Sequence, residues 1–430
     1  MHHYIARMNQ AEATKQYNLH FTVWAKHLKG FFDNSATPQK TSNPTNVITK
    51  YSTNSIQVLK YNPQMDGLRF CAVLSVVCYH WLPVVNDIKV SYFFGALVNF
   101  FFVLSSYLIT RILFNAKEKS CRLGTSRFKA IGIFLLRRTI RIFPAYYFFL
   151  FLLLLLPTIG NEVRNNAGMY FSYLANYHIF QSHVYPAVTA HIWTLAVEEQ
   201  FYLIWPILII FIPNRHLLKT FVTIIITSVI LRAVCYYPAQ GIPQDILTQY
   251  CVDAFAVGGL LAYKYKAPEK EKHAINKYFN LVLYAGLPFG VLIIITQSYY
   301  FSFVLNKLLF SMVSFKIIEG AVIGYKHFTG RFLQNKVVIY LGQISYGIYL
   351  YHLVVPVVFW KSYDFGYGYV QFQYPSFFAS HQKGISLFQN IISLQGVYFI
   401  IYSVLVVAVA IVSSKLIEIP FLKLKSVFHI

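Results

Sequence analysis

Four stretches of the 430-residue chain place ionisable side chains among apolar neighbours. "DGLRFCAVLSVVCYHW" holds Arg69 and His80. An ionisable group at a bilayer centre costs about 2.5 to 3.5 kcal/mol on insertion scales, so each needs a reason to be there. Eleven steps of about 100° make about three full turns, and a helix therefore sets the two on one face, about 16 Å apart along its axis. "RRTIRIFPAYY" groups Arg137, Arg138 and Arg141 ahead of an apolar run, a pattern suited to an anion at the mouth of a bundle. "HIWTLAVEEQFYLIWP" spaces His191 and Glu198 by seven residues, again on one face, and "LGQISYGIYLYH" carries Ser345, Tyr346, Tyr349 and His352.

Histidine titrates near working pH and is the usual general base for activating a hydroxyl. His80 is the candidate base, and Glu198 is a candidate to orient it or another histidine, as the acid of a triad does. The planar fork of Arg69 suits a phosphate, and Arg137, Arg138 and Arg141 would hold the rest of the same anion. His191, Trp193, Tyr346 and His352 are candidates for acceptor contacts. Structural readings compete at every site. An arginine in the first turn of a span snorkels to headgroups, a terminal histidine sits in the interface, and a basic cluster sets topology. Their joint occurrence favours a site, because several buried polar groups in one bundle are costly unless they work together.

A lipid solvent must surround the elements that position these residues. The chain is 57% hydrophobic, 18% aromatic and only 12% charged, with a mean hydropathy of +0.49. That excludes a soluble domain of this length and predicts an all-α polytopic bundle. The apolar runs predict about ten spans at 66–85, 92–113, 142–157, 191–212, 218–235, 248–263, 279–297, 303–325, 337–360 and 393–414. Residues 167–180 are too short to cross and read as a re-entrant piece, and 361–392 reads as an aromatic-rich outer loop. Lys316 with Glu319, and Arg232 with Asp253, read as structural ion pairs.

A net charge of +22 raises the question of nucleic acid. The basic residues lie at span ends and form no groove-facing patch, which excludes that partner. With both termini cytoplasmic, only Lys89, Arg164, Lys361 and Lys383 fall in outer segments, the positive-inside pattern. Five cysteines without paired spacing indicate neither disulfides nor a metal site. Residues 1–62 form a polar cytoplasmic extension without a secretory h-region, in which Tyr17, Phe21, Trp24, Leu28 and Phe31 could make an interfacial helix; residues 63–430 form the transmembrane domain.

In order along the chain, "MDGLRFCAVLSVVCYHW", "FFVLSSYLIT", "RRTIRIFPAYY", "HIWTLAVEEQFYLIWP", "LGQISYGIYLYH" and "EIPF" resemble the successive motifs of the acyltransferase-3 family of integral-membrane acyltransferases. The resemblance covers Pro63 to Phe421. It implies transfer of acetyl or other short acyl groups from cytoplasmic acyl-CoA, without a metal, to sugars of lipopolysaccharide, capsule, peptidoglycan or secreted glycans. It implies the same base, since His80 matches the histidine of the family's R-x10-H, and a bacterial inner-membrane location with a surface glycan or lipid-linked sugar as partner. Two departures stand out: Ser106 replaces a glycine, and no esterase-like domain of the kind some members append is present, so a relay within this chain is not expected. Two other classes stay open. A transporter or flippase for a glycan or lipid-linked substrate would favour repeats and broken helices, neither of which the sequence shows. A membrane interaction or sensor protein would not need a basic mouth aligned with Arg69 and His80.

Overall fold

The computed structural model describes residues 61–82, 90–237, 244–296 and 298–424. The proposed interfacial helix lies outside the described residues. Among the described residues every regular element is helical. Among the described residues six segments are long and apolar enough to cross a membrane, and they match six of the ten expected spans: 98–123, 127–155, 192–211, 214–234, 299–323 and 396–423. The other four expected spans are helical but more polar, shorter or interrupted.

Helix α1 (Pro63–Trp81) begins where Asn62 accepts a hydrogen bond from the Gln64 amide at 3.0 Å and Pro63 occupies the first turn. It stops short of the expected residue 85. Leu82 precedes a proline and is extended, as that position favours. Helices α2 (Val90–Leu123) and α3 (Arg127–Leu155) follow. α3 starts well before residue 142, because nothing in "RFKAIGIFLLRRTIRIF" breaks a helix. Its 29 residues give a length of about 44 Å, and the three arginines expected at the inner mouth lie in mid-helix.

Next come α4 (Ile192–Phe211), α5 (Asn214–Val234), α6 (Val252–Lys264), α7 (Glu269–Thr296) and α8 (Lys307–Ile323). Gly258 of α6 meets α2 so closely that a Cβ there would sit 2.3 Å from the Val103 carbonyl oxygen. The hydroxyl of Ser106 in α2 donates to the Phe255 carbonyl at 2.5 Å. The small residue needed for close approach is thus supplied by α6, and Ser106 does not hold the helices apart.

The expected single span 337–360 is three pieces: α9 (Lys336–Gln343), α10 (Ser345–Tyr351) and α11 (Val354–Gln373). Pro356 explains the second break. It has no N–H for the His352 carbonyl four residues back, and the Trp81 indole donates to that oxygen instead at 3.1 Å. Broken helices therefore do occur here, and their supposed absence does not argue against a transporter. Residues 361–392, expected as a loop, are mostly helical, since α11 continues to Gln373 and two further helices cover Pro375–Ser380 and Gln382–Ser393. The last long helix is α12 (Gln395–Ser413).

The segment expected to re-enter folds as two short helices, Ala167–Phe171 and Ala175–Ser182, with a third, Asn161–Asn165, just ahead of it. Protein groups satisfy its backbone. Tyr146 donates to the Tyr170 carbonyl at 2.7 Å, Tyr147 to Phe171 at 3.0 Å and Gln200 to Tyr173 at 2.8 Å, as irregular backbone at membrane depth requires.

Both expected ion pairs form. Lys316 lies 3.2 Å from Glu319, which Lys264 also meets, and Arg232 lies 2.7 Å from Asp253 with neither side chain exposed. The cysteines are free, but only Cys251 is buried, and Cys121 and Cys235 are exposed.

Apolar packing divides into two cores. Met65, Leu68 and Ala72 of α1, Ile142 of α3 and Val197 of α4 belong to one. Val73 and Val76 of α1, Ala145 of α3 and Ala196 of α4 belong to the other. Phe101, Phe143 and Tyr346 pack against both. Three helices thus cross a common waist, and the residues they present there include Arg69, Arg141 and Glu198.

Candidate functional site

Two polar clusters sit on α1, one at the waist and one at its far end. At the waist Arg69 is 26% exposed and pairs with Asp66 at 2.7 Å, and Tyr61 donates to the same carboxylate at 2.7 Å. One arm of the Arg69 fork is therefore engaged within the helix. From α3, Arg138 stacks over the rings of Phe134 and Tyr202, 5.6 and 6.0 Å from their centroids. Arg69, Arg138 and Arg141 lie within electrostatic reach of one another. Arg141 has no hydrogen bond among the described residues. Its residue is exposed, and Glu418 also lies within electrostatic reach of it. Arg137 lies beside them on the helix and is exposed.

Carboxylates border the same waist. Glu198 accepts from Ser105 at 2.8 Å and from Tyr202 at 3.2 Å. It makes no hydrogen bond to a histidine among the described residues, so its place is beside Arg138 and Arg69 rather than behind His80. Glu199 and Glu418 each bury an oxygen without a hydrogen-bond partner, as Tyr173 buries its hydroxyl. Sequence reasoning passed over all three, although the doubled acid of "VEEQ" was a visible signal. Tyr346 donates to the Ile142 carbonyl at 3.2 Å and belongs to this waist, deeper than expected.

At the far end of α1 three imidazoles form a row. His80 keeps exposed surface, whereas His352 and His191 are buried. His80 and His352 have centroids 4.9 Å apart, and His352 and His191 4.8 Å. His352 Nε2 lies 3.2 Å from His80 Nδ1. Tyr349 donates to the His191 carbonyl at 3.0 Å and shares a 2.6 Å hydrogen bond with Thr194, tying α10 to α4. Sequence spacing paired His191 with Glu198 and left His352 as an acceptor contact; the fold instead brings His80, His352 and His191 together. Trp193 lies apart from this row, packed on Phe102 at 6.1 Å with the Lys307 ammonium 5.9 Å from its ring.

A third polar region is a cavity of about 270 Å³ lined by Lys117, Glu118, Arg215, Tyr263, Lys266 and Glu271 among others. Its charges are largely spoken for. Lys266 pairs with Glu118, Tyr263 donates to Glu271 at 2.5 Å, and Lys117 donates to the Ile209 carbonyl at 2.9 Å.

Among the described residues no three His, Cys, Asp or Glu side chains are placed to hold a metal ion. α1 and α3 thus offer an accessible base edge at His80 and, about three helical turns away, a group of three guanidiniums of which Arg69 is paired with Asp66 and Arg138 lies near Glu198 and Glu199. That combination can bind an elongated anion and remove a proton at its uncharged end.

A family described as acyltransferase domain matches residues 62–415. The chain is 28% identical over 321 residues to the peptidoglycan O-acetyltransferase OatA of Listeria monocytogenes, covering 68% of this chain and 49% of that one. It is 28% identical over 341 residues to the O-acetyltransferase OatA of Staphylococcus aureus, covering 74% and 53%. The chain thus spans about half the length of the curated relatives it matches. No solved structure matches it.

Proposed function

This chain belongs to the integral-membrane acyltransferase family that matches it over residues 62–415, and from that premise we propose that it is an O-acetyltransferase of a cell-surface glycan. The donor is acetyl-CoA, and the acceptor is a hydroxyl of peptidoglycan or a related polymer, free or lipid-linked. The observation that carries this reading is the double occupancy of α1, with Arg69 at the shared arginine cluster and His80 at the accessible end. The extended pantetheine arm of CoA is of the same order as the separation of about 16 Å between them along the helix.

In this reading Arg69, Arg138 and Arg141 take the phosphates of the donor, for which guanidinium forks are suited. His80 removes the proton of the acceptor hydroxyl as its oxygen attacks the acetyl carbon. The new C–O bond forms, the C–S bond breaks, and the leaving thiolate takes the proton back from His80. The basic segments 114–141 and 264–277 favour a cytoplasmic entrance for the donor, with both termini cytoplasmic and the chain in a bacterial inner membrane. His80 then meets the acceptor on the opposite side.

Replacing His80 with Ala tests this. Membranes holding equal amounts of each protein are given labelled acetyl-CoA, and acetyl esters on glycan are counted by mass spectrometry. The variant should lose about 10²- to 10⁴-fold in rate, the usual worth of a general base. Near-normal transfer would remove His80 from catalysis, and no transfer by the unaltered protein from acetyl-CoA to any glycan would remove the proposed reaction.

A further inference from the structure

The contacts around His352 fix the proton positions in the row of imidazoles. His352 Nδ1 lies 2.6 Å from the Tyr349 carbonyl oxygen, which can only accept. In a neutral ring that nitrogen therefore carries the hydrogen, and Nε2 is the lone pair. This lone pair faces His80 Nδ1 at 3.2 Å. The Val76 carbonyl oxygen, also an acceptor, lies 2.9 Å from the same His80 atom. Two independent acceptors thus require the hydrogen of His80 on Nδ1, which leaves Nε2 bare on a residue that keeps exposed surface. His191 closes the row by donating Nε2–H to the Leu350 carbonyl at 3.1 Å, with its own Nδ1 buried and unpartnered. Among the described residues no carboxylate hydrogen-bonds to any of the three.

We propose that His352 is the positioning residue of the acyl-transfer step, filling with a second imidazole the role that a carboxylate fills in a triad. The proposal rests on His80 as base and adds what orients it. As the acceptor proton arrives on His80 Nε2, the Nδ1 hydrogen stays on His80, held between the Val76 carbonyl at 2.9 Å and the His352 Nε2 lone pair at 3.2 Å, so that ring orientation and tautomer are kept while His80 carries the charge. His352 keeps its Nδ1–H on the Tyr349 carbonyl throughout. When the CoA thiolate takes the proton from His80 Nε2, His80 is neutral again with its hydrogen on Nδ1 and the row ends as it began. The helix break is what builds this device. Pro356 frees the His352 carbonyl, Trp81 captures it, and Tyr398 donates to the Trp81 carbonyl at 3.0 Å, so that α12 braces the end of α1.

The full chain in lipid bilayers tests this with His352→Ala, His352→Leu and His352→Gln. The Ala and Leu variants should lower kcat about 10- to 100-fold, the usual cost of losing an orienting partner of a functional histidine, with the KM for acetyl-CoA unchanged. Gln, whose amide oxygen can accept from His80 Nδ1, should recover much of that loss, which a purely structural role would not predict. Solid-state ¹⁵N spectra of histidine-labelled unaltered protein, with the His80 signals assigned by their loss in His80→Gln, should show Nδ1 protonated and Nε2 bare. An Nε2-protonated His80, or normal kcat in inserted Ala and Leu variants, overturns the proposal. If His80→Ala itself stays active, the failure belongs to the base assignment and not to His352. The spectra decide the matter even where substitutions at His352 prevent insertion.

Discussion

Arg232 and Arg141 are both guanidinium groups inside a helix bundle, and the bundle treats them in opposite ways. Arg232 has no exposed surface and spends four of its five N–H donors. It bonds to the Val304 carbonyl at 3.0 Å, Ser228 at 3.1 Å, the Tyr250 carbonyl at 2.8 Å and Asp253 at 2.7 Å. Arg141 makes no hydrogen bond or ion pair among the described residues, stays accessible, and lies within electrostatic reach of two more arginines. A buried charge with its counter-ion and most of its donors satisfied holds helices together. Arginines gathered within reach of one another repel, a cost that Asp66, Glu198, Glu199 and Glu418 offset in part and an anionic ligand would relieve further. The contrast distinguishes a structural arginine from the arginines proposed for the donor site without appeal to position in the sequence.

The largest effect should come from breaking the satisfied pair. Asp253→Ala leaves Arg232 buried without its counter-charge, which should destabilise the fold by about 3 to 5 kcal/mol. Thermal unfolding in detergent and membrane abundance would read this, and the KM for acetyl-CoA of the protein that survives should be unchanged. A changed KM would mean that Arg232 also serves the donor site. The smallest effect should come from Arg137→Gln, because an exposed charge acts through solvent that screens it over about 8 Å at physiological ionic strength. The donor KM should shift less than about fivefold, the equivalent of the 0 to about 1 kcal/mol typical of exposed charges, and only at low salt. A large, salt-insensitive shift would place Arg137 inside the site with its two neighbours.

Local relations were the legible part of this molecule. The shared face of Arg69 and His80 follows from helical period alone, and Lys316 with Glu319 follows from a three-residue spacing. Asp66 and Arg69 have that same spacing, but attention to the arginine as a ligand group obscured its partner. The depth of Arg138 and Arg141 was hidden because hydropathy located a span at 142–157, while α3 runs unbroken from Arg127. Long-range pairing was not readable at all. His80 and His352 are separated by 272 residues, and neither period nor charge links them. One signal was available: His352 stands four residues before Pro356, the spacing at which a carbonyl loses its helical donor and a break becomes possible.

The central claim is that the waist arginines form the donor site, and donor binding by Arg138→Gln/Arg141→Gln protein tests it most directly. Equilibrium binding of labelled acetyl-CoA to inserted, folded protein should weaken at least about tenfold, which corresponds to about 1.4 kcal/mol. The remaining binding should depend less on salt than that of the unaltered protein. An affinity and salt dependence equal to those of the unaltered protein, with Asp253→Ala still unstable, would contradict the account and return these two arginines to the structural class of Arg232.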